Sequence, residues 1–249
     1  MPMSMRRLLA LAPLFAALAA GAGTARADGP TVVELFTSQG CYSCPPAERF
    51  LGDLADRDGI LALEFHVDYW DNLNYGSAGK WKDPWSSPAF TARQRDYNVQ
   101  IRGRTGVYTP QMVVDGKFEA VGSREGAVES VIEDARARAG KRVEVAAVPD
   151  GGGLKVSLKG GPDRAGGVWL VSFLRREATR VLRGENHGKL LVNHNVVTEM
   201  RRIGAWDGKD RTIDVASVAN DGKRGCAVLV QAGEAGPILG AARCPAAGS

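Results

Sequence analysis

From Thr31 the chain reads TVVELF, a β-branched and apolar run that predicts a buried strand. The turn SQGC follows. Pro45 and Pro46 then suit the first turn of a helix, where a missing N–H costs little. Ala47, Phe50, Leu51, Leu54 and Ala55 recur at helical spacing, so that helix should run to about Asp58. ILALEFHV, Ile60 to Val67, predicts a second buried strand. The next stretch, about residues 70–87, is rich in Trp, Asn, Gly, Asp and Pro and has no period, which predicts a long functional loop. Phe90, Gln94, Tyr97 and Ile101 share one face of a helix starting near Ser87. VYTPQMVVDGKFEAVG predicts a hairpin turning at Asp115-Gly116. A last helix, capped by Ser123, carries Val128, Val131, Ile132, Ala135 and Ala139 on its apolar stripe.

After Gly140 the texture changes. VEVAAV, LKVSLK, GVWLVSFL, ATRVL, KLLVNHNVV, TIDVAS, CAVLVQ and PILGAA are short β-like runs between Gly, Asp and Asn, at the spacing of a sandwich. The organisation expected is a leader over residues 1–27, an α/β domain over 28–140 holding the Trp-rich loop, and a β-rich domain over 141–249.

The leader reading rests on Arg6-Arg7, an apolar run from Leu8 to Ala20, and a small-residue cleavage pattern at Ala25-Arg26-Ala27. The run is short for a membrane span, which needs about 20 apolar residues. Export to the periplasm or beyond is expected, with no membrane span once the leader is cut. Cleavage removes three arginines and no acid, so the formal charge of +4 falls by three to +1. A nearly neutral chain offers no electrostatic case for nucleic acid as a partner.

Four cysteines remain, in a compartment where disulfides persist. Cys41 and Cys44 form a Cys-x-x-Cys between strand and helix. There a thiolate gains from free N–H groups and the positive end of the helix, and its pKa falls to about 3.5–7.5 in such motifs. Cys41 is then expected to be the exposed nucleophile and Cys44 the resolving thiol. Two other readings stay open: a structural short-loop disulfide, and a copper site with His66 as third ligand. Zinc would want a second close ligand pair, so no metal and no cofactor is assigned. Cys226 and Cys244 fall opposite each other when CAVLVQ and PILGAARC pair about the turn AGEAGP, which predicts a cross-strand structural disulfide. Asp68, Trp70 and His66 end the second strand near Cys41, and Gln94 points inward from its helix. These are accessory candidates, with core roles as their alternative.

The order of elements, with Cys41-Tyr42-Ser43-Cys44 after VVELF and Thr109-Pro110 before QMVV, resembles the thioredoxin fold over roughly Pro30 to Gly140. That resemblance implies a cis Pro110 beside the disulfide, with Thr109 and Pro110 shaping a groove for an extended peptide. Gly40 before the first cysteine, Tyr42-Ser43 between the pair, and Leu35 at the usual buried-acid position depart from it. ELFTSQGCYSCPPAE, FHVDYWD, KDP, SPAFTARQRDY, YTPQMVVDG, VLRGENHGKLLVNHNVV and AVLVQAGEAGPILGAA resemble more closely a family of exported bacterial proteins of unknown function (domain of unknown function 1223). The fold class expected is thus a thioredoxin-like α/β domain followed by a small all-β, sandwich-like domain. The function expected is thiol–disulfide exchange with exported protein thiols or disulfides, supported by a redox recycling partner. The alternatives are a copper metallochaperone and a non-catalytic binding module.

Overall fold

The computed structural model describes residues 29–245, so the expected leader lies outside the described residues. The N-terminal elements are β1 (Thr31–Thr37), α1 (Pro45–Ala55), β2 (Ile60–His66), α2 (Pro88–Arg102), β3 (Gln111–Val114), β4 (Phe118–Val121) and α3 (Glu125–Ala137). Then come β5 (Glu144–Asp150), β6 (Gly153–Lys159), β7 (Gly166–Arg180), β8 (Leu190–Trp206), β9 (Arg211–Val215), β10 (Arg224–Gln231) and β11 (Ile238–Arg243).

The expected architecture, a thioredoxin-like α/β domain followed by a small all-β domain, is overturned. Strands dominate, with three α-helices among the described residues, and one mixed eight-stranded sheet runs in the order β11-β10-β7-β8-β2-β1-β3-β4. The smaller sheet has the order β5-β6-β9. The join is at β2, whose edge meets β8 in parallel at Glu64↔Val196. Asn195 reinforces it, donating from Nδ2 to the Ala62 carbonyl at 2.9 Å. One apolar cluster packs Val32, Phe36, Leu63 and Phe65 with Val171, Phe173, Val197, Ala227 and Leu229. The segments on either side of Gly140 therefore share a core. Periodicity along the chain reports which residues are buried and not which strand lies alongside, so the union of β2 with β8 leaves no local mark.

Local readings fare differently. GVWLVSFL and the first three residues of ATRVL belong to one 15-residue strand, β7, and Val181 and Leu182 fall in the turn after it. The β3–β4 turn has positive φ at Asp115 and Gly116. Ser87 caps α2 through its side chain. Ser123 does not cap α3: the cap position is Arg124 and carries no side-chain bond. Ala139 lies beyond that helix and is exposed.

Alternation along β1 divides its neighbours. Val33 and Leu35 pack with α1 and α3. Glu34 faces the other way and receives Arg93 of α2 at 2.8 Å. Gln231 of β10 joins there, bonded to Arg93 at 3.0 Å and to the Tyr97 hydroxyl at 2.8 Å. This buried pair with its satisfied neighbours ties α2 to both β1 and β10.

A disulfide sealed over a buried acid–imidazole cluster

Cys41 and Cys44 are joined as a disulfide with Cα atoms 5.5 Å apart. Cys44 occupies the N-cap position of α1, Pro45 and Pro46 fill its first turn, and the Cys41 carbonyl accepts from the Cys44 N–H at 3.2 Å. Tyr42 and Ser43 are exposed, whereas both cysteines have no exposed surface. An exposed Cys41 was expected, and burial corrects this. The β7–β8 turn, Val181 to Lys189, lies against this segment. Asn186 is fully buried and donates to the carbonyls of Gln39 and Cys41, each at 2.9 Å. Glu185 accepts from the Tyr42 N–H at 2.8 Å. Lys189 bonds the Asn186 side-chain carbonyl at 2.8 Å and lies 4.4 Å from the centre of the Tyr42 ring. Gly184 has φ +78, and a Cβ there would sit 3.1 Å from Trp81 Cβ, so both the turn and the close approach require glycine.

Beneath the disulfide lies a polar cluster. Register places Glu64 beside Leu35 and His66 beside Thr37, on the α1 face of the sheet. Thr37 donates to Glu48 of α1 at 2.7 Å, one turn beyond Cys44. His66 Nδ1 stands 2.7 Å from Asp83, and Nε2 stands 3.2 Å from Glu64, a contact without hydrogen-bond alignment. Asn193 and the His194 N–H of β8 donate to Glu64 at 2.7 and 2.9 Å. The Gln39 N–H donates to Asp83 at 2.8 Å. Helix α1 comes close to β8 because Gly52 has no side chain; a Cβ there would lie 2.3 Å from His194 Nδ1.

Charges in this cluster set one another. Burial, reinforced by Glu64, pushes the Glu48 carboxyl up to about 8, despite the opposing pull of His66 and the Thr37 bond. Burial disfavours the His66 imidazolium, but Asp83 and Glu64 outweigh it and hold the pKa well above its ordinary value. Burial likewise opposes ionised Asp83, yet His66 and the N–H groups of Gln39 and Trp85 hold it below its ordinary value.

The other candidates fall around this centre. Thr109-Pro110 is a cis peptide, and Phe36↔Gln111 pairing brings Pro110 level with Thr37. Trp70 links the two halves of the site: its Nε1 donates to Thr109 at 2.9 Å, and its Cβ lies 3.4 Å from where a Gly40 side chain would begin. Trp70 also stacks on Tyr75 with ring centres 6.5 Å apart. Asp68 turns away, accepting from Thr91 of α2 at 2.5 Å. Gln94 donates to the Tyr108 carbonyl at 2.7 Å and to Gln111 at 3.0 Å, a positioning role beneath the Thr109-Pro110 strand. His66 bonds Asp83 through Nδ1, and its Nε2 lies 3.2 Å from Glu64. Among the described residues no group of three or more His, Cys, Asp or Glu is placed to hold a metal. Cys226 of β10 and Cys244, the residue after β11, form a second disulfide at the other end of the sheet order from β1 and its neighbours β3 and β4.

Sequence reading missed Glu48, Glu64, Asp83, Glu185, Asn186 and Asn193. Glu48 had one visible signal: a carboxylate four residues past Cys44 on the apolar face of its helix. The others come to the site from distant segments.

A search of curated proteins finds no match. A crystal structure of protein AGR_C_4864 from Agrobacterium tumefaciens is similar, with a TM-score of 0.75 at 28% identity, covering 89% of this chain and 96% of that one. The family model described as "Protein of unknown function (DUF1223)" matches residues 32–231. With that match spanning most of its length, the chain belongs to the DUF1223 family of proteins of unknown function.

Proposed function

We propose that the protein is an exported thiol–disulfide oxidoreductase acting on protein thiols in the periplasm or outside the cell. The observation that supports this most is the Cys41–Cys44 disulfide at the mouth of α1, seated above a protonatable carboxyl one helical turn away. A partner thiolate bonds to the Cys41 sulfur, the Cys41–Cys44 bond breaks, and Cys44 leaves as a thiolate that collects a proton. The partner's second thiolate then attacks its own sulfur in the mixed disulfide and releases Cys41. The partner loses two electrons and leaves with a disulfide, the Cys41–Cys44 pair gains them, and a second disulfide-bearing protein reoxidises it. In reverse, the dithiol reduces a partner's disulfide.

Cys44→Ser is expected to accumulate mixed disulfides with exported proteins, and Cys41→Ser is not. An absence of trapped partners together with an ordinary Cys41 pKa near 8.5 removes the reading. The full burial of Cys41 favours a second reading, a structural staple in a binding module. A potential below about −300 mV, typical of structural disulfides, would decide for it.

A further inference from the structure

We propose that the β7–β8 turn, Val181 to Lys189, is a displaceable lid occupying the place of a substrate chain over Cys41–Cys44, and that an acidic, cysteine-bearing segment of a partner protein displaces it. This rests on the oxidoreductase reading above and names its substrate class.

The lid touches the disulfide segment as a visiting chain would. Asn186 bonds the main-chain carbonyls of Gln39 and Cys41, and Glu185 puts a carboxylate on the Tyr42 N–H. The lid is braced internally by main-chain bonds such as Val181 N–H to Lys189 O and Gly188 N–H to Val181 O, so it can move as a unit; on its outer side Gly184 N–H donates to the Ala78 carbonyl at 3.0 Å. The seal is imperfect. Around it the Tyr75 hydroxyl, Trp81 Nε1 and Gln39 Oε1 are buried with no hydrogen-bond partner among the described residues, so opening would widen their access to solvent. A cavity of about 480 Å³, lined by Ser77, Ala78, Leu182, Arg183 and His187, adjoins the lid.

Charge argues for the occupant. The one group the lid places on the Tyr42 N–H is a carboxylate. Around it Arg183, His187 and Lys189 are exposed, and none forms an ion pair among the described residues. An acidic segment can replace Glu185 at the N–H and meet the cations Arg183 and Lys189. Exposed Tyr42, Leu182 and Leu190 add apolar surface at the same opening.

The test begins with the oxidised full-length protein and dithiothreitol, a small uncharged dithiol, following the reduction of each disulfide by alkylation and mass. Asn186→Ala and Glu185→Gln should each speed reduction of Cys41–Cys44, the first by about tenfold for two lost hydrogen bonds, and leave Cys226–Cys244 unchanged. Unchanged rates in both variants overturn the lid. A second arm compares two dicysteine peptides, one flanked by aspartates and one by lysines. Each rate is divided by that peptide's rate with bis(2-hydroxyethyl) disulfide, which removes intrinsic thiol reactivity. The acidic peptide should be faster, and Arg183→Glu with Lys189→Glu should reverse the order. Equal rates, or preference for the basic peptide, overturn the substrate class. Failure of the oxidoreductase reading would appear instead in the wild-type protein's equilibrium constant with these dithiols, measured apart from the rates.

Discussion

Glu48→Gln isolates the buried carboxyl next to the disulfide. Glutamine keeps the shape of the side chain and can still accept from Thr37, so the change removes ionisation and little else; alanine would leave a void and an unpaired hydroxyl. In the folded protein Glu48 holds its proton up to about 8, whereas its ordinary value is 4.5. Between those values the folded state binds a proton that the unfolded chain has released. Stability must therefore fall as pH rises, by about 1.4 kcal/mol per pH unit from this group alone. His66 is protonated in both states below its ordinary 6.5, and Asp83 titrates below 3.8. The window from pH 5 to pH 6.5 thus reports Glu48 almost alone. Across it the wild type should lose about 2 kcal/mol relative to Glu48→Gln, equivalent to about 4–8 °C in melting temperature for a chain of this size. Urea unfolding of both oxidised proteins at several pH values measures this. Parallel stability curves for the two proteins would refute the buried-carboxyl argument.

Other perturbations probe the remaining parts. His66→Gln should flatten the decline in stability above pH 6.5, because a histidine whose folded pKa is raised contributes stability that is lost as pH climbs through that value; an unaltered slope in urea titrations counts against the Asp83–His66–Glu64 array. Arg93→Met should cost about 3–5 kcal/mol by leaving Glu34 charged and buried, and the double change with Glu34→Leu should recover much of it, read by chemical denaturation. Gly184→Ala should strain the lid turn and speed reduction of Cys41–Cys44 by dithiothreitol, with Cys226–Cys244 as the internal reference. Cys226→Ser with Cys244→Ser should lower stability by about 3 kcal/mol, the cost of freeing a loop of this length, while sparing exchange at Cys41.

Local chemistry was legible in the linear chain wherever neighbours in sequence are neighbours in space. Pro45-Pro46 after Cys44 marked the start of α1, continuous apolar runs marked β1 and β2, the shared face of Phe90, Gln94, Tyr97 and Ile101 marked α2, and Asp115-Gly116 marked a turn needing positive φ. The Cys-x-x-Cys pair falls in this class, since three residues at a helix start set its geometry. Burial of charged groups was not legible. Glu64 and His66 alternate along a strand that reads as apolar, and nothing local shows that Asp83 and Asn193 arrive to satisfy them.

The sequence by itself determined the segments, their turns and the Cys-x-x-Cys pair, because backbone sterics, helix entry and hydrophobic period act over a few residues. Only the tertiary structure decided that β2 and β8 meet in one sheet, that a carboxyl stays protonated beneath the disulfide, and that Asn186, arriving from 145 residues away, closes over Cys41. Those outcomes depend on desolvation and on which distant groups compensate it, and both exist only once the chain has packed.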